Sequence, residues 1–206
     1  MAKVTKTPAT EKTRRERILD AATDSFLELG FERTSTAEIA RRANVSKREI
    51  YADFADKRMI LSAVIAELQN QMQFRLRGIW SSSENPQIVL PKAAARISEF
   101  VLSERFGKLV RIVAAESYHD SRIARKFYEL GPDQGREETA GYMKSQMKQG
   151  RLLRADPIKA ADDFMNMVVG GQLMTAVILG QVDRVPLRRG HVKHAVELFL
   201  KNYLIK

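Results

Sequence analysis

A chain of 206 residues can bury a hydrophobic core without disulfide or metal support, and 44% hydrophobic with 29% charged residues excludes global disorder and a multi-pass membrane fold. Its 35 Lys and Arg against 25 Asp and Glu leave a formal charge of +10, which favours polyanionic partners, nucleic acid ahead of anionic lipid. Cysteine is absent, so disulfides, thiolate metal sites and cysteine nucleophiles are excluded together.

Only 11 Gly and 6 Pro interrupt long Ala-, Leu-, Glu-, Arg- and Lys-rich stretches, which predicts an all-α protein. No apolar run reaches membrane-spanning length, and the basic N-terminus lacks the apolar core of a signal peptide, so a cytoplasmic location without membrane association is expected. Met1 to about Thr13 shows no apolar periodicity and reads as a mobile arm. The stripe Leu19, Ala22, Phe26 and Leu29 then predicts a helix over Arg14 to Leu29, closed by a left-handed Gly30.

Ser35 precedes Glu38, and Ser46 precedes Glu49, each at the spacing of a capping box. Two short helices follow, about Thr36 to Ala43 with Ile39, Ala40 and Ala43 inward, and about Lys47 to Asp53 with Ile50 and Phe54 inward. Between them stand Asn44, which tolerates the left-handed turn, and Val45, which can fill the corner. This is the grammar of a helix-turn-helix. Lys47, Arg48 and Tyr51 lie away from Ile50, giving the second helix a cationic, hydrogen-bonding face suited to base edges and phosphates; the alternative is a solvated charged face on a packing helix.

Asp56 caps a long helix with Ile60, Val64 and Leu68 at helical spacing, running to Arg77 or Trp80, and Ser81 to Pro86 is the clearest linker. Later helices are expected at about Gln87 to Arg105, Gly107 to Ser117, Ser121 to Leu130, Asp133 to Gln149, Ile158 to Leu179 and Leu187 to Ile205. Breaks fall at Pro132, Gly150, Pro157 and Pro186. The functional boundary is placed near Asp56, so that residues 1–55 hold the arm and helix-turn-helix and residues 56–206 a larger helical domain. Phe164, Met165, Met167, Val168, Val169, Leu173, Met174, Val177 and Ile178 exceed one inward stripe, which leaves a second face for a twofold mate.

Enzyme chemistry has no constellation to rest on. His119, His191 and His194 form no metal-binding spacing, and Gly170-Gly171 sits in an apolar helix without the lysine of a phosphate loop. No catalytic residue, metal or cofactor is expected. The arm's Lys3, Lys6, Lys12, Arg14, Arg15 and Arg17 serve either a minor groove or solubility alone.

The run Thr34-Ser35-Thr36-Ala37-Glu38-Ile39-Ala40, followed by Ala43-Asn44-Val45-Ser46-Lys47, Ile50-Tyr51, Phe54 and Asp56-Lys57, resembles the DNA-binding domain of the TetR/AcrR family of bacterial transcriptional regulators. Phe127-Tyr128 before Gly131-Pro132 is similar to its AefR-like branch. The resemblance implies a homodimeric regulator, a repressor ahead of an activator, that binds a double-stranded DNA operator and answers to a small-molecule effector. Carried over by position, Lys47 and Arg48 face bases, Tyr51 the phosphates, Thr34 and Thr36 the DNA backbone, and Lys57 a phosphate. Asp53 stands where the family often has a DNA-contacting side chain, so it either points away or joins Glu49 in choosing the site.

An effector cavity, by the same resemblance, would draw on Trp80, Phe100, Phe127, Tyr128, Tyr142, Met143 and Met165, residues that at helical spacing also serve as ordinary core. The alternatives are a constitutive DNA-binding or DNA-compacting dimer without a ligand, or a basic amphipathic protein on a membrane surface.

Overall fold

The computed structural model describes residues 12–80, 84–179 and 190–205. Among these residues the chain is helical, with one isolated antiparallel bridge between Leu152 and Leu204. The helices are α1 (Arg14–Leu29), α2 (Thr36–Ala43), α3 (Lys47–Asp53), α4 (Lys57–Trp80), α5 (Pro86–Val101), α6 (Glu104–Ser117) and α7 (Ser121–Tyr128). A π turn over Glu129–Asp133 follows, then α8 (Gln134–Lys148), α9 (Pro157–Leu179) and α10 (His191–Tyr203). None of the described helices is long and apolar enough to cross a membrane.

The chain forms two compact units, Met1–Val64 and Ile65–Lys206, so the junction falls inside α4, beyond the Asp56 boundary expected from sequence. Most of the arm, the first half of the Ser81 to Pro86 linker and the Pro186 break lie outside the described residues.

In the first unit Ile18, Ala22, Phe26, Ile39, Ile50, Phe54, Ile60 and Leu61 make the core, and the rings of Phe26 and Phe31 pack 5.4 Å apart. α1 begins with a further capping box, Thr13 with Glu16. It ends at Gly30 with φ 83° and ψ 164°, a glycine conformation outside the left-handed helical region that was expected. Asn44 does adopt that region, at φ 54° and ψ 51°, and turns α2 into α3.

The second unit closes around Leu90, Ile97, Met143, Phe164, Val168 and Phe199. The Phe164 and Phe199 rings meet nearly edge to face at 5.3 Å, and Tyr203 stacks on Phe199 at 4.5 Å. The Tyr203 hydroxyl donates to Asp163, and that bond, more than burial, pushes the phenol up to about 12.

Two expected boundaries are corrected. α5 stops at Val101 and α6 starts at Glu104, because the Ser103 hydroxyl accepts from the Phe106 amide and caps α6; Gly107 lies within that helix, close to the Ala176 backbone. Pro132 does not break the chain between α7 and α8. The π turn inserts an extra residue into the ladder, which absorbs the missing donor and the ring of Pro132 without ending the helical path.

Candidate nucleic-acid interface and ligand cavity

The recognition surface is built by caps. Ser46 accepts from the Glu49 amide while the Glu49 carboxylate accepts from the Ser46 amide at 2.8 Å, so the box that opens α3 is complete. Those hydrogen bonds hold the Glu49 carboxyl below its ordinary range. At the other end of α3, the Arg14 guanidinium donates twice to Asp53, at 2.7 and 3.0 Å, and lowers that carboxyl too. Both acids of α3 therefore turn to partners on their own unit, and Lys47, Arg48 and Tyr51 stand exposed on its surface. Tyr51 is 53% exposed, with its hydroxyl 3.3 Å from that of Thr36. The structure thus brings Thr36 and Tyr51 together beside the two cations.

Thr34 and Lys57 are placed differently. The Thr34 side chain is buried, its hydroxyl 2.7 Å from the Gly30 carbonyl and 3.1 Å from that of Ser25. Lys57 Nζ donates to the carbonyls of Phe31 at 2.8 Å and Thr34 at 3.0 Å, with its charge 4.2 Å from the centre of the Phe31 ring. Both groups face the loop between α1 and α2. Arg15 lies over the Phe54 ring at 4.5 Å, so Arg14 and Arg15, read from sequence as part of a basic arm, are engaged within the unit.

The box expected at Ser35 and Glu38 is half formed. Ser35 accepts from the Glu38 amide, but the Glu38 carboxylate turns instead to Arg41 and Arg42, at 2.8 and 2.7 Å. The two Arg41 hydrogen bonds, then the one from Arg42, bring the Glu38 carboxyl down from 4.5 to about 2. A lowered folded-state value means that this contribution to stability is complete above the ordinary 4.5 and fades as pH falls towards 2. Glu38→Gln should accordingly melt a little below the wild type at neutral pH, by the small amount an exposed and screened pair contributes, and the two profiles should converge as pH falls from 4.5 towards 2. A separation that stays constant across that window would refute the assignment.

The second unit holds a partly open cavity of about 260 Å³. Its wall takes Gln69, Met72, Gln73 and Leu76 from α4, Phe100 and Phe106 from α5 and α6, Phe127 and Tyr128 from α7, Gly131 and Pro132 from the π turn, Thr139 from α8, and Met165 and Val169 from α9. Of the seven residues expected around an effector cavity, the structure places Phe100, Phe127, Tyr128 and Met165 on this wall. Trp80, Tyr142 and Met143 instead belong to the packed core, where the Trp80 and Tyr142 rings lie 5.5 Å apart and burial pushes the Tyr142 phenol up to about 12. Gln69 and Gln73 were not singled out from sequence. Their signal was two amides at helical spacing within the apolar stripe Ile65, Leu68, Met72 and Leu76.

Residues 18–64 match the family described as bacterial regulatory proteins, tetR family, and residues 88–205 match the AefR-like transcriptional repressor C-terminal domain. The HTH-type transcriptional regulator YvkB of Bacillus subtilis (strain 168), itself uncharacterized, is 25% identical over 188 residues, covering 90% of this chain and 95% of that protein. The solved structure of the Flavonoid-responsive Regulator FrrA has a TM-score of 0.71 at 28% identity, over 94% of this chain and 98% of that one. A TetR-family regulator from Mesorhizobium loti MAFF303099 has the same fold, with a TM-score of 0.81 at 24% identity over 93% and 97% of the two chains. These relatives and neighbours are transcriptional regulators rather than enzymes. With its N-terminal helix-turn-helix and its AefR-like C-terminal domain, the chain belongs to the TetR family of bacterial transcriptional regulators.

Proposed function

We propose that this regulator is a repressor that binds a palindromic operator as a homodimer and releases it when a small, mainly apolar effector fills the cavity. The observation that carries the reading is α4. One continuous helix supplies Lys57 to the first unit and Gln69, Met72, Gln73 and Leu76 to the cavity wall in the second. An effector that prefers one disposition of α4 therefore acts on an element of the DNA-binding unit itself. The likeness to a flavonoid-responsive regulator supports a compact, largely apolar effector, and the cavity lies just below the ~300 Å³ at which drug-sized pockets begin.

On the DNA side, Arg48 is the candidate for base readout, since its neighbours on α3 leave it exposed and uncompensated by Glu49 or Asp53. Arg48→Ala is expected to cost about 1–3 kcal/mol of discrimination between the preferred operator and a single-base variant of it, with a much smaller effect on random DNA. Equal losses on all three duplexes would make Arg48 a phosphate contact.

The whole reading is tested by selecting an operator from random duplexes with the full-length protein, then measuring operator affinity across a library of compact hydrophobic compounds. A coupling of about 1–3 kcal/mol predicts that one of them weakens the operator roughly 5- to 150-fold, and that the operator weakens that compound by the same factor. Unchanged affinity across the library would leave a constitutive DNA-binding dimer.

A further inference from the structure

Among the described residues, the cavity wall contains one polar group that the fold does not explain. Gln69 is only 4% exposed, and its Nε2 is buried with no hydrogen-bond partner among the described residues. Burying an amide donor unpaired is costly, and leucine would fit the surrounding stripe without that cost. Gln73, one turn along the same face, shows the ordinary solution: with its amide turned nitrogen first, it donates to the Glu138 carboxylate at 2.6 and 2.7 Å.

A second feature is fitted to the Gln69 amide. At Gly131, inside the π turn, a Cβ would lie 2.7 Å from Gln69 Cδ and 2.8 Å from Oε1, and would collide outright with Nε2. The glycine leaves the side chain the space it occupies. π turns recur at functional sites, and this one sets its backbone directly against the unpaired amide at the cavity edge. Among the described residues the remaining wall is apolar apart from Gln73, Thr139 and the Tyr128 phenol, and none of these lining side chains carries a charge. An ionised ligand would lose its hydration there without compensation.

We infer that Gln69 is the polar anchor of this cavity, holding an uncharged, largely apolar ligand through an acceptor oxygen such as a ketone or ester carbonyl, with Gly131 keeping the amide's place. The inference rests on the cavity being the effector site. Because Gln69 lies on α4, the hydrogen bond forms on the helix that also enters the DNA-binding unit.

Two matched probe pairs test it, 9-fluorenone with fluorene and xanthone with xanthene, each differing by one carbonyl in place of a methylene. Dissociation constants are measured by calorimetry on the full-length wild type and on Gln69→Leu and Gly131→Ala, with circular dichroism and thermal melts to establish folding. The wild type should prefer a ketone over its hydrocarbon by roughly tenfold or more, because the hydrocarbon leaves the amide unpaired. Gln69→Leu should melt at the same or a higher temperature, keep or improve hydrocarbon binding, and lose the ketone preference. Gly131→Ala should weaken the ketones by displacing the amide. A folded Gln69→Leu that retains the wild-type ketone preference overturns the anchor and leaves the cavity reading intact. If none of the four probes binds any folded variant, the cavity reading fails and the anchor fails with it.

Discussion

Replacing both Met174 and Ile178 by glutamate is expected to leave a folded monomer that has lost its operator. On α9 these two side chains are 63% and 69% exposed in the single chain, next to Leu179 at 60%, while Phe164 and Val168 on the same helix are fully buried. One face thus fills the core of the second unit and another presents large apolar groups to solvent, which supports a helix with a partner on both sides. In a twofold interface every substitution counts twice. Four apolar side chains, at about 1.5–3 kcal/mol each when buried, are removed together, and four like charges are introduced near one axis. At 1.4 kcal/mol per tenfold, the dimer dissociation constant should rise by at least about a thousandfold. Sedimentation at micromolar concentration reads the monomer directly. A palindromic operator engages two recognition helices at once, so losing the second should weaken it by roughly 10² to 10⁴. A double variant that stays dimeric would move the interface off this face of α9.

The first unit was the more legible from sequence because its boundaries are local chemistry. A serine hydroxyl three residues ahead of a backbone amide starts α2 and α3, and Asn44 turns the chain between them, so the helix limits follow from residues a few positions apart. What those residues do with their remaining valence was less legible. Glu38 has the same spacing from its serine as Glu49, yet Arg41 and Arg42 take its carboxylate, and the competition between an amide and two guanidiniums is decided only by the packed geometry. Asp53 poses the same problem over a longer reach. Its partner Arg14 lies at the start of α1, and only the fold reveals that the two charges meet.

The second unit shows where periodicity fails. In a helix with apolar residues on several faces, spacing does not say which face meets a cavity, so Met165 lines the space while Met143 is sealed in the core. A proline ordinarily marks a helix end, but at Pro132 the π register changes that rule, within a turn whose Gly131 packs against Gln69 of α4. Gln69 and Gly131 are far apart in sequence, and neither means anything for a ligand until they are seen in contact.

Lys57 gives the sharpest case of a residue whose chemistry was readable and whose direction was not. A lysine at the start of α4 suits a phosphate, and by resemblance it was assigned one; in the structure its ammonium is taken up by the carbonyls of Phe31 and Thr34 and by the Phe31 ring. We expect its role in DNA binding to be positional. Lys57→Met keeps the aliphatic stem and removes the charge, so it should cost about 1.5–3 kcal/mol for charged hydrogen bonds, or roughly 2–4 °C of melting temperature per kcal/mol. DNA affinity should fall on operator and random duplexes alike, because the loop between α1 and α2 loses its tie to α4. The salt dependence separates the two roles. A lysine on a phosphate contributes about 0.9 to the slope of log affinity against log salt, so removing such a contact lowers the slope by that amount for each Lys57 in the complex. A positional lysine leaves the slope unchanged while the protein melts earlier. A reduced slope at an unchanged melting temperature would return Lys57 to the phosphate.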